Sequence, residues 1–430
     1  MERIIVGRNV ADLASFGDKG TGFLGKHVVG SGEQMHLTNP IYMDLARPHI
    51  VLVCGKRGTG KSYDGGVVAE EVSLLSPEIR KNLSVLIFDT MGIYWSMKMA
   101  NDRDQDLLNE WGLKPHAMKT KLVVPKAFVE SYKEVGVAVD APLVLPCGEL
   151  SATDWIIAFG FSPIDEHGIG IERAIKAVSK RYGTVYSIDD ITKAIGENKR
   201  LQQHVRESLL NRFEAAKEWG LFEKRGTPLQ ELFAPGVITI VDVSHYAGAN
   251  AGWSVRGMLV GLLSRQIYQE RLVSRKAEEF EVISGERRKT IPMVWIMIDE
   301  AHMFLPNDGE TAASSALQTL VKQGREPGIS LLFITQRPNK LHEDALAQAD
   351  LVISHRLTAK ADIEALRSVM QTYMLEDLQD ALNGLPDIKG AALILDDNSE
   401  RILSAVIRPR FSWHAGGSPM AVKKKSLFEE

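Results

Sequence analysis

Cysteine is scarce. Two residues, Cys54 and Cys147, in a chain of 430 cannot build a disulfide framework or a cysteine-rich zinc site. Long apolar runs are missing too: no stretch approaches the roughly 18 residues of a membrane span, and Met1-Glu2-Arg3 leads into no signal-peptide core. Nor is there an excess of one charge. A net charge of −4 excludes a bulk-basic nucleic-acid coat, while leaving room for a local basic channel. Hydrophobic residues at 44% and charged residues at 25% exclude global disorder. The expectation is a reduced, cytoplasmic protein of two or three domains' length, with no membrane association.

What the chain does have is a series of short apolar runs ended by glycine or acid. Ile50–Cys54, Ser84–Asp89, Val237–Asp242, Met293–Asp299 and Ser330–Thr335 read as strands buried on both faces of a parallel sheet. Ile171–Tyr182 and Leu201–Trp219 show helical periodicity, as does Ser254–Glu279, whose inward stripe is Val255, Leu259, Leu262, Leu263 and Ile267. Gly257 and Gly261 have the spacing of membrane dimers, but Arg256, Arg265 and Arg271 interrupt that helix, which favours close packing in water. Ala391–Leu395 and Arg401–Val406 flank Asp396-Asp397-Asn398-Ser399 as a hairpin. The fold class expected is α/β, divided by character: a short β-rich segment over 1–45, the first part of a core over 46–100, a mainly helical insertion over 101–232, the second part of the core with its hairpin over 233–412, and a flexible tail over 413–430.

Gly55-Lys56-Arg57-Gly58-Thr59-Gly60-Lys61-Ser62 matches G-x-x-x-x-G-K-[ST] in full, after an apolar strand and before a helix-compatible stretch. Such a loop turns backbone N–H groups toward a phosphate chain, and the helix N-terminus adds partial positive charge. Lys61 is expected to reach the β- and γ-phosphates of ATP and Ser62 to hold Mg²⁺, with Tyr63 adjoining the nucleotide. Ile296-Met297-Ile298-Asp299-Glu300 supplies what the cradle lacks: Asp299 for the Mg²⁺ shell and Glu300 to activate water. Gln336, after the next strand, reads as a γ-phosphate sensor or as a loop amide serving the backbone. Asp89 and Asp242 also end strands and are expected to be structural. More chain separates Lys61 from Asp299 than compact P-loop domains usually hold, which places the insertion between them.

Ile298-Asp299-Glu300-Ala301-His302-Met303-Phe304-Leu305-Pro306, Gly324-Arg325-Glu326-Pro327-Gly328 and Thr335-Gln336-Arg337-Pro338 go further. With Leu210-Asn211-Arg212-Phe213 and Ser354-His355-Arg356-Leu357, they resemble the HerA branch of the HerA/FtsK superfamily of ring-forming DNA-pumping ATPases, over roughly residues 45 to 410. The resemblance implies a RecA-like P-loop core, Lys61 and Ser62 as the Walker A pair, Asp299 and Glu300 as Walker B, Gln336 as sensor and Arg325 at the nucleotide. It also implies a homo-hexamer, a duplex DNA substrate and a nuclease or other effector partner. A ring wants an arginine from its neighbour; Arg47 is the candidate and Arg212 the reserve. The family's archaeal helicases carry a β-barrel ahead of the core that about 45 residues cannot build, so a reduced or absent barrel is expected.

Asp299-Glu300-Ala301-His302 also spells a DEAH box, but a second motor domain is missing, and Gln323-Gly324-Arg325 follows in the same domain. No Leu-Ser-Gly-Gly-Gln stretch supports an ABC-type ATPase. Asp165-Glu166-His167 reads as a solvated cluster, and Arg287-Arg288-Lys289 as a polar loop or a channel contact. The alternative to a DNA motor is a nucleotide-switched scaffold that assembles an effector complex.

Overall fold

The computed structural model describes residues 2–30, 34–248, 252–286, 288, 290–369 and 378–417. Fifteen strands are present among these residues: β1 (Ile4–Val6), β2 (Thr21–Val29), β3 (His36–Asp44), β4 (Ile50–Cys54), β5 (Leu83–Asp89), β6 (Thr120–Pro125), β7 (Ala141–Leu143), β8 (Leu145–Pro146), β9 (Phe222–Glu223), β10 (Ile238–Asp242), β11 (Met293–Ile298), β12 (Ile329–Thr335), β13 (Leu351–Ser354), β14 (Ala391–Asp396) and β15 (Arg401–Ile407). Thirteen of them form one sheet in the order β1-β3-β2-β15-β14-β13-β4-β12-β11-β5-β10-β6-β7. From β13 to β7 every pairing is parallel. The hairpin β14–β15 adds to it in antiparallel fashion, and β2, β3 and β1 extend the same sheet beyond β15.

The five apolar runs become β4, β5, β10, β11 and β12. Alternation of side chains across the pleat splits each between two cores: Ile50, Leu52 and Cys54 join one, Val51 and Val53 the other. Every residue of β4, β5, β10 and β12 is buried, which is why these runs are apolar throughout rather than alternating.

The stretch 101–232 is less purely helical than its sequence suggests, because β6 and β7 complete the sheet beyond β10. Thr120-Lys121-Leu122-Val123-Val124-Pro125 is a short run with two polar leading residues, which hides its strand character. Helices Ala152–Ala158, Glu166–Tyr182, Ile188–Glu197 and Gln203–Glu218 follow. They pack around Trp155, whose ring lies 5.0 Å from that of Phe213 and 5.6 Å from that of Phe159. Asp165 caps the second of these helices by accepting the Gly168 N–H at 2.7 Å, so this acid serves the backbone.

The long helix Gly252–Ser284 explains its paired glycines. A Cβ at Gly261 would meet the Ala312 carbonyl oxygen at 2.4 Å, so glycine there permits close backbone approach within the core. The first residues, β1–β3, form no closed barrel among the described residues; they are an edge of the main sheet. Of the tail, 418–430 lies outside the described residues, whereas Trp413 and Ala415 are tied to Ser96 by hydrogen bonds of 2.9 and 3.2 Å.

Candidate active site at the carboxyl edge of the sheet

Because β4, β12, β11, β5 and β10 run parallel, their carboxyl ends lie on one edge, where open α/β sheets hold ligands. The Walker A loop leaves β4 and enters helix Lys61–Leu74. Gly58 and Gly60 adopt φ of 80° and 117°, conformations that glycine takes without steric penalty. Lys56, Arg57 and Gly58 are exposed, so the mouth of the loop is open. Lys61 is buried, and its Nζ donates to the Lys56 carbonyl at 2.7 Å across its own loop. Burial holds the Lys61 pKa below its ordinary value, although the nearby Glu300 and Asp299 pull it upward.

At the end of β11, Asp299 is buried and accepts a hydrogen bond from Ser62 Oγ at 3.0 Å. Burial, then the neighbouring Glu300 charge, pushes the Asp299 carboxyl up to about 6. A buried carboxylate so raised, facing a hydroxyl at the lip of a phosphate loop, fits the oxygen donor set that Mg²⁺ takes beside phosphates. Among the described residues no group of three or more His, Cys, Asp or Glu side chains is placed to hold a metal by itself.

Glu300 has φ 52°, a left-handed backbone rare for a residue with a side chain and frequent at functional turns. Gln336, at the end of β12, donates its side-chain amide to Glu300 Oε1. His302 lies with Nδ1 3.5 Å from Glu300 Oε2 and 3.0 Å from Thr335 Oγ1. Lys61, Ser62, Asp299, Glu300 and Gln336 are thus one constellation.

Neighbouring acids have other duties. Asp89 accepts the backbone N–H groups of Met91, Gly92, Ile93 and Tyr94, organising the turn after β5. Its carboxyl is nevertheless pushed up by burial and by the Asp242 charge. Asp242 accepts from the Ser244 N–H and the Tyr132 hydroxyl. Tyr94 reaches the Walker helix, donating from its hydroxyl to the Ser62 carbonyl at 2.9 Å.

The arginines fall elsewhere. Arg325 follows helix Ser314–Gln323 and precedes β12, which puts it at the amino edge, opposite its own Walker A loop. There its guanidinium pairs with Asp350 at 3.3 Å. The expectation that it sits at the nucleotide of its own chain is corrected: a parallel strand carries the residue before it and the residue after it to opposite edges. Arg47, just before β4, shares that amino edge and pairs with Asp12 of the same chain. Arg212 covers the Phe161 ring at 5.5 Å in the helical region. Tyr63 turns its hydroxyl away to accept the Arg410 N–H at 2.6 Å, and its ring meets His414 edge-on at 5.2 Å. Arg288 lies over the Phe280 ring, while Arg287 and Lys289 are outside the described residues.

Two residues at this edge were given no role from sequence, although one of them lies in the stretch Ser354-His355-Arg356-Leu357. Asp64, in the first turn after the Walker A lysine, and His355, just beyond β13, are both buried and joined at 2.7 Å. A histidine ending an apolar strand beside the phosphate loop was the available signal.

Residues 261–401 match the family model described as helicase HerA-like C-terminal. The DNA double-strand break repair helicase HerA of Pyrococcus furiosus is 25% identical over 173 residues, covering 37% of this chain and 31% of that protein. Its namesake from Sulfurisphaera tokodaii is 21% identical over 412 residues, covering 95% of this chain and 73% of the relative. Among solved structures, VirB4 of Thermoanaerobacter pseudethanolicus shares the fold with a TM-score of 0.56 at 12% identity, covering 91% of this chain and 97% of that one. The match thus spans about a third of the Pyrococcus protein's own length. Residues 261–401 are thus similar to the HerA-like C-terminal family, and the chain shares the RecA-like P-loop fold of VirB4.

Proposed function

We propose that this protein is a Mg²⁺-dependent ATPase that works in the cytoplasm as a homo-hexameric ring and moves on or unwinds duplex DNA, together with a nuclease or other effector. The observation that carries the reading is the Glu300 carboxylate, held by Gln336 beside the Ser62–Asp299 pair at the mouth of the phosphate loop. A protein that only binds ATP has no use for a positioned carboxylate there.

The loop amides and Lys61 hold the β- and γ-phosphates, Lys61 giving up its bond to the Lys56 carbonyl. Ser62 and Asp299 would hold Mg²⁺, which when bound would supply positive charge against the phosphates. Glu300 accepts a proton from the attacking water, and Gln336 fixes its orientation while contacting the terminal phosphate. Catalysis is positioning and electrostatics, with no covalent intermediate. Arg325, sited at the amino edge, serves the nucleotide of a neighbouring chain.

ATP hydrolysis measured with and without duplex DNA, alongside particle mass, tests the motor reading. Turnover stimulated by DNA in a particle of six chains supports it. Turnover indifferent to DNA contradicts it and leaves the assembly ATPase.

A further inference from the structure

The Walker A loop rests on a buried pair of bonded side chains, His355 and Asp64. His355, immediately after β13, donates its backbone N–H to the Cys54 carbonyl at 2.8 Å, and the next residue, Arg356, offers its carbonyl to the Lys56 N–H at 3.3 Å. The backbone after β13 therefore clips the loop at its first residues. The His355 ring continues beneath it. A Cβ added at Gly55 would lie 2.6 Å from His355 Cβ, and one at Gly60 would lie 3.5 Å from His355 Cε1. The imidazole is thus the floor on which the glycines lie.

Both ring nitrogens face acceptors: Nδ1 lies 2.8 Å from the Ala391 carbonyl and Nε2 lies 2.7 Å from Asp64 Oδ2. Each ring nitrogen thus has a partner, which fixes the orientation of the imidazole. Asp64 is 0% exposed, and His355 is 1% exposed. The other Asp64 oxygen, Oδ1, is buried without a hydrogen-bond partner, so the bond to His355 is the side-chain hydrogen bond that holds this carboxyl group. Asp64 lies in the first turn of the helix that opens with Lys61 and Ser62. One ring thereby ties together the start of the loop, the first turn of its helix, and β14.

We infer that His355 is a positioning residue for nucleotide binding: bonded to Asp64 and packed under Gly55 and Gly60, it holds the loop amides in the geometry that receives phosphates, without touching the nucleotide. The inference rests on the reading of this loop as an ATP site. The motif G-x-x-x-x-G-K-[ST] constrains neither position 64 nor position 355, so this brace is a property of the chain's tertiary structure rather than of the motif. Because phosphates contact the same amides in ground and transition states, a disordered loop weakens binding uniformly, raising KM more than it lowers kcat.

The experiment measures fluorescent ATP-analogue binding, KM, kcat and melting temperature for wild type, His355→Ala, and His355→Ala combined with Asp64→Asn. The single variant strands a buried carboxylate and is expected to melt early. In the double variant that charge is gone, so the melting temperature should recover while the analogue binds about tenfold or more weakly, with kcat at saturation within about threefold of wild type. Nucleotide affinity that returns to the wild-type value together with stability would overturn the inference, reducing the pair to a structural one. A wild type that binds no nucleotide would instead overturn the ATP reading beneath it.

Discussion

The side-chain amide of Gln336 donates to the Glu300 carboxylate, joining the end of β12 to the residue after the Walker B aspartate. This bond aims Glu300 and leaves the other carboxylate oxygen against His302. Gln336→Ala should lower kcat about 10- to 100-fold with little change in KM, because aim is lost and phosphate binding is not. Steady-state kinetics on a folded variant read this directly. An unchanged kcat would return Gln336 to the role of a loop amide.

Arg325 stands at the amino edge on Asp350, with the sheet between it and its own phosphate loop. The proposed ring would bring it to the next chain's nucleotide. Arg325→Ala should lose about a thousandfold or more in turnover and Glu300→Gln at least about a hundredfold. Mixed together they should regain activity, since some interfaces then pair an intact Glu300 with an intact Arg325. Mixtures as dead as their components would remove Arg325 from the trans position.

His49 connects that edge to the N-terminal strands. It lies 2.8 Å from Asp350 and 3.9 Å from Asp44, which in turn binds Arg8 at 2.8 Å. Although burial opposes the charge, the hydrogen bond to Asp350 and the nearby Asp44 carboxylate raise the His49 pKa from 6.5 to about 9. A raised folded-state pKa stabilises fully below 6.5, and the contribution declines as pH rises from there through about 9. The melting temperature should therefore fall across that window. The same carboxylates are held below their ordinary pKa and stay ionised throughout. His49→Asn should be destabilised by about 3 kcal/mol at neutral pH and lose most of that pH slope; an equally steep slope in the variant would discount His49 as its source.

Glu70, buried on the Walker helix, accepts from Arg408 Nη1 at 2.9 Å and from the Ser412 N–H and hydroxyl at 2.9 and 2.6 Å. This fastens the chain after β15 to the helix that carries Lys61. Arg408→Met should cost about 3–5 kcal/mol, because it leaves Glu70 with Arg410 as its remaining cation and takes from Glu71 the partner that Arg408 supplies. Restoring part of that loss with a second change, Glu70→Gln, would show that the stranded charge is responsible; a further additive loss would contradict it.

The core was legible wherever burial on both faces left the strand uniformly apolar, as in β4 and β12. Phosphate-loop spacing and the acids ending β11 were legible as short local patterns, which the fold brings together at one edge of the sheet. What failed were readings of direction and distance. Nothing local in Gly324-Arg325-Glu326 says which edge of the sheet it occupies; the parallel register of β12 with β4 does. The Leu351–Ser354 run is only four residues long, so β13 and the histidine that follows it gave little periodicity to read. Likewise Tyr63 adjoins Ser62 in sequence, yet the chain beyond β15 captures its hydroxyl.

The central claim is that the carboxyl edge hydrolyses ATP through Glu300. The most direct test compares wild type with Glu300→Gln at matched nucleotide occupancy, each saturated with ATP and Mg²⁺. The account expects both to bind ATP and the variant to hydrolyse it at least about a hundredfold more slowly. Equal turnover by the two would contradict it.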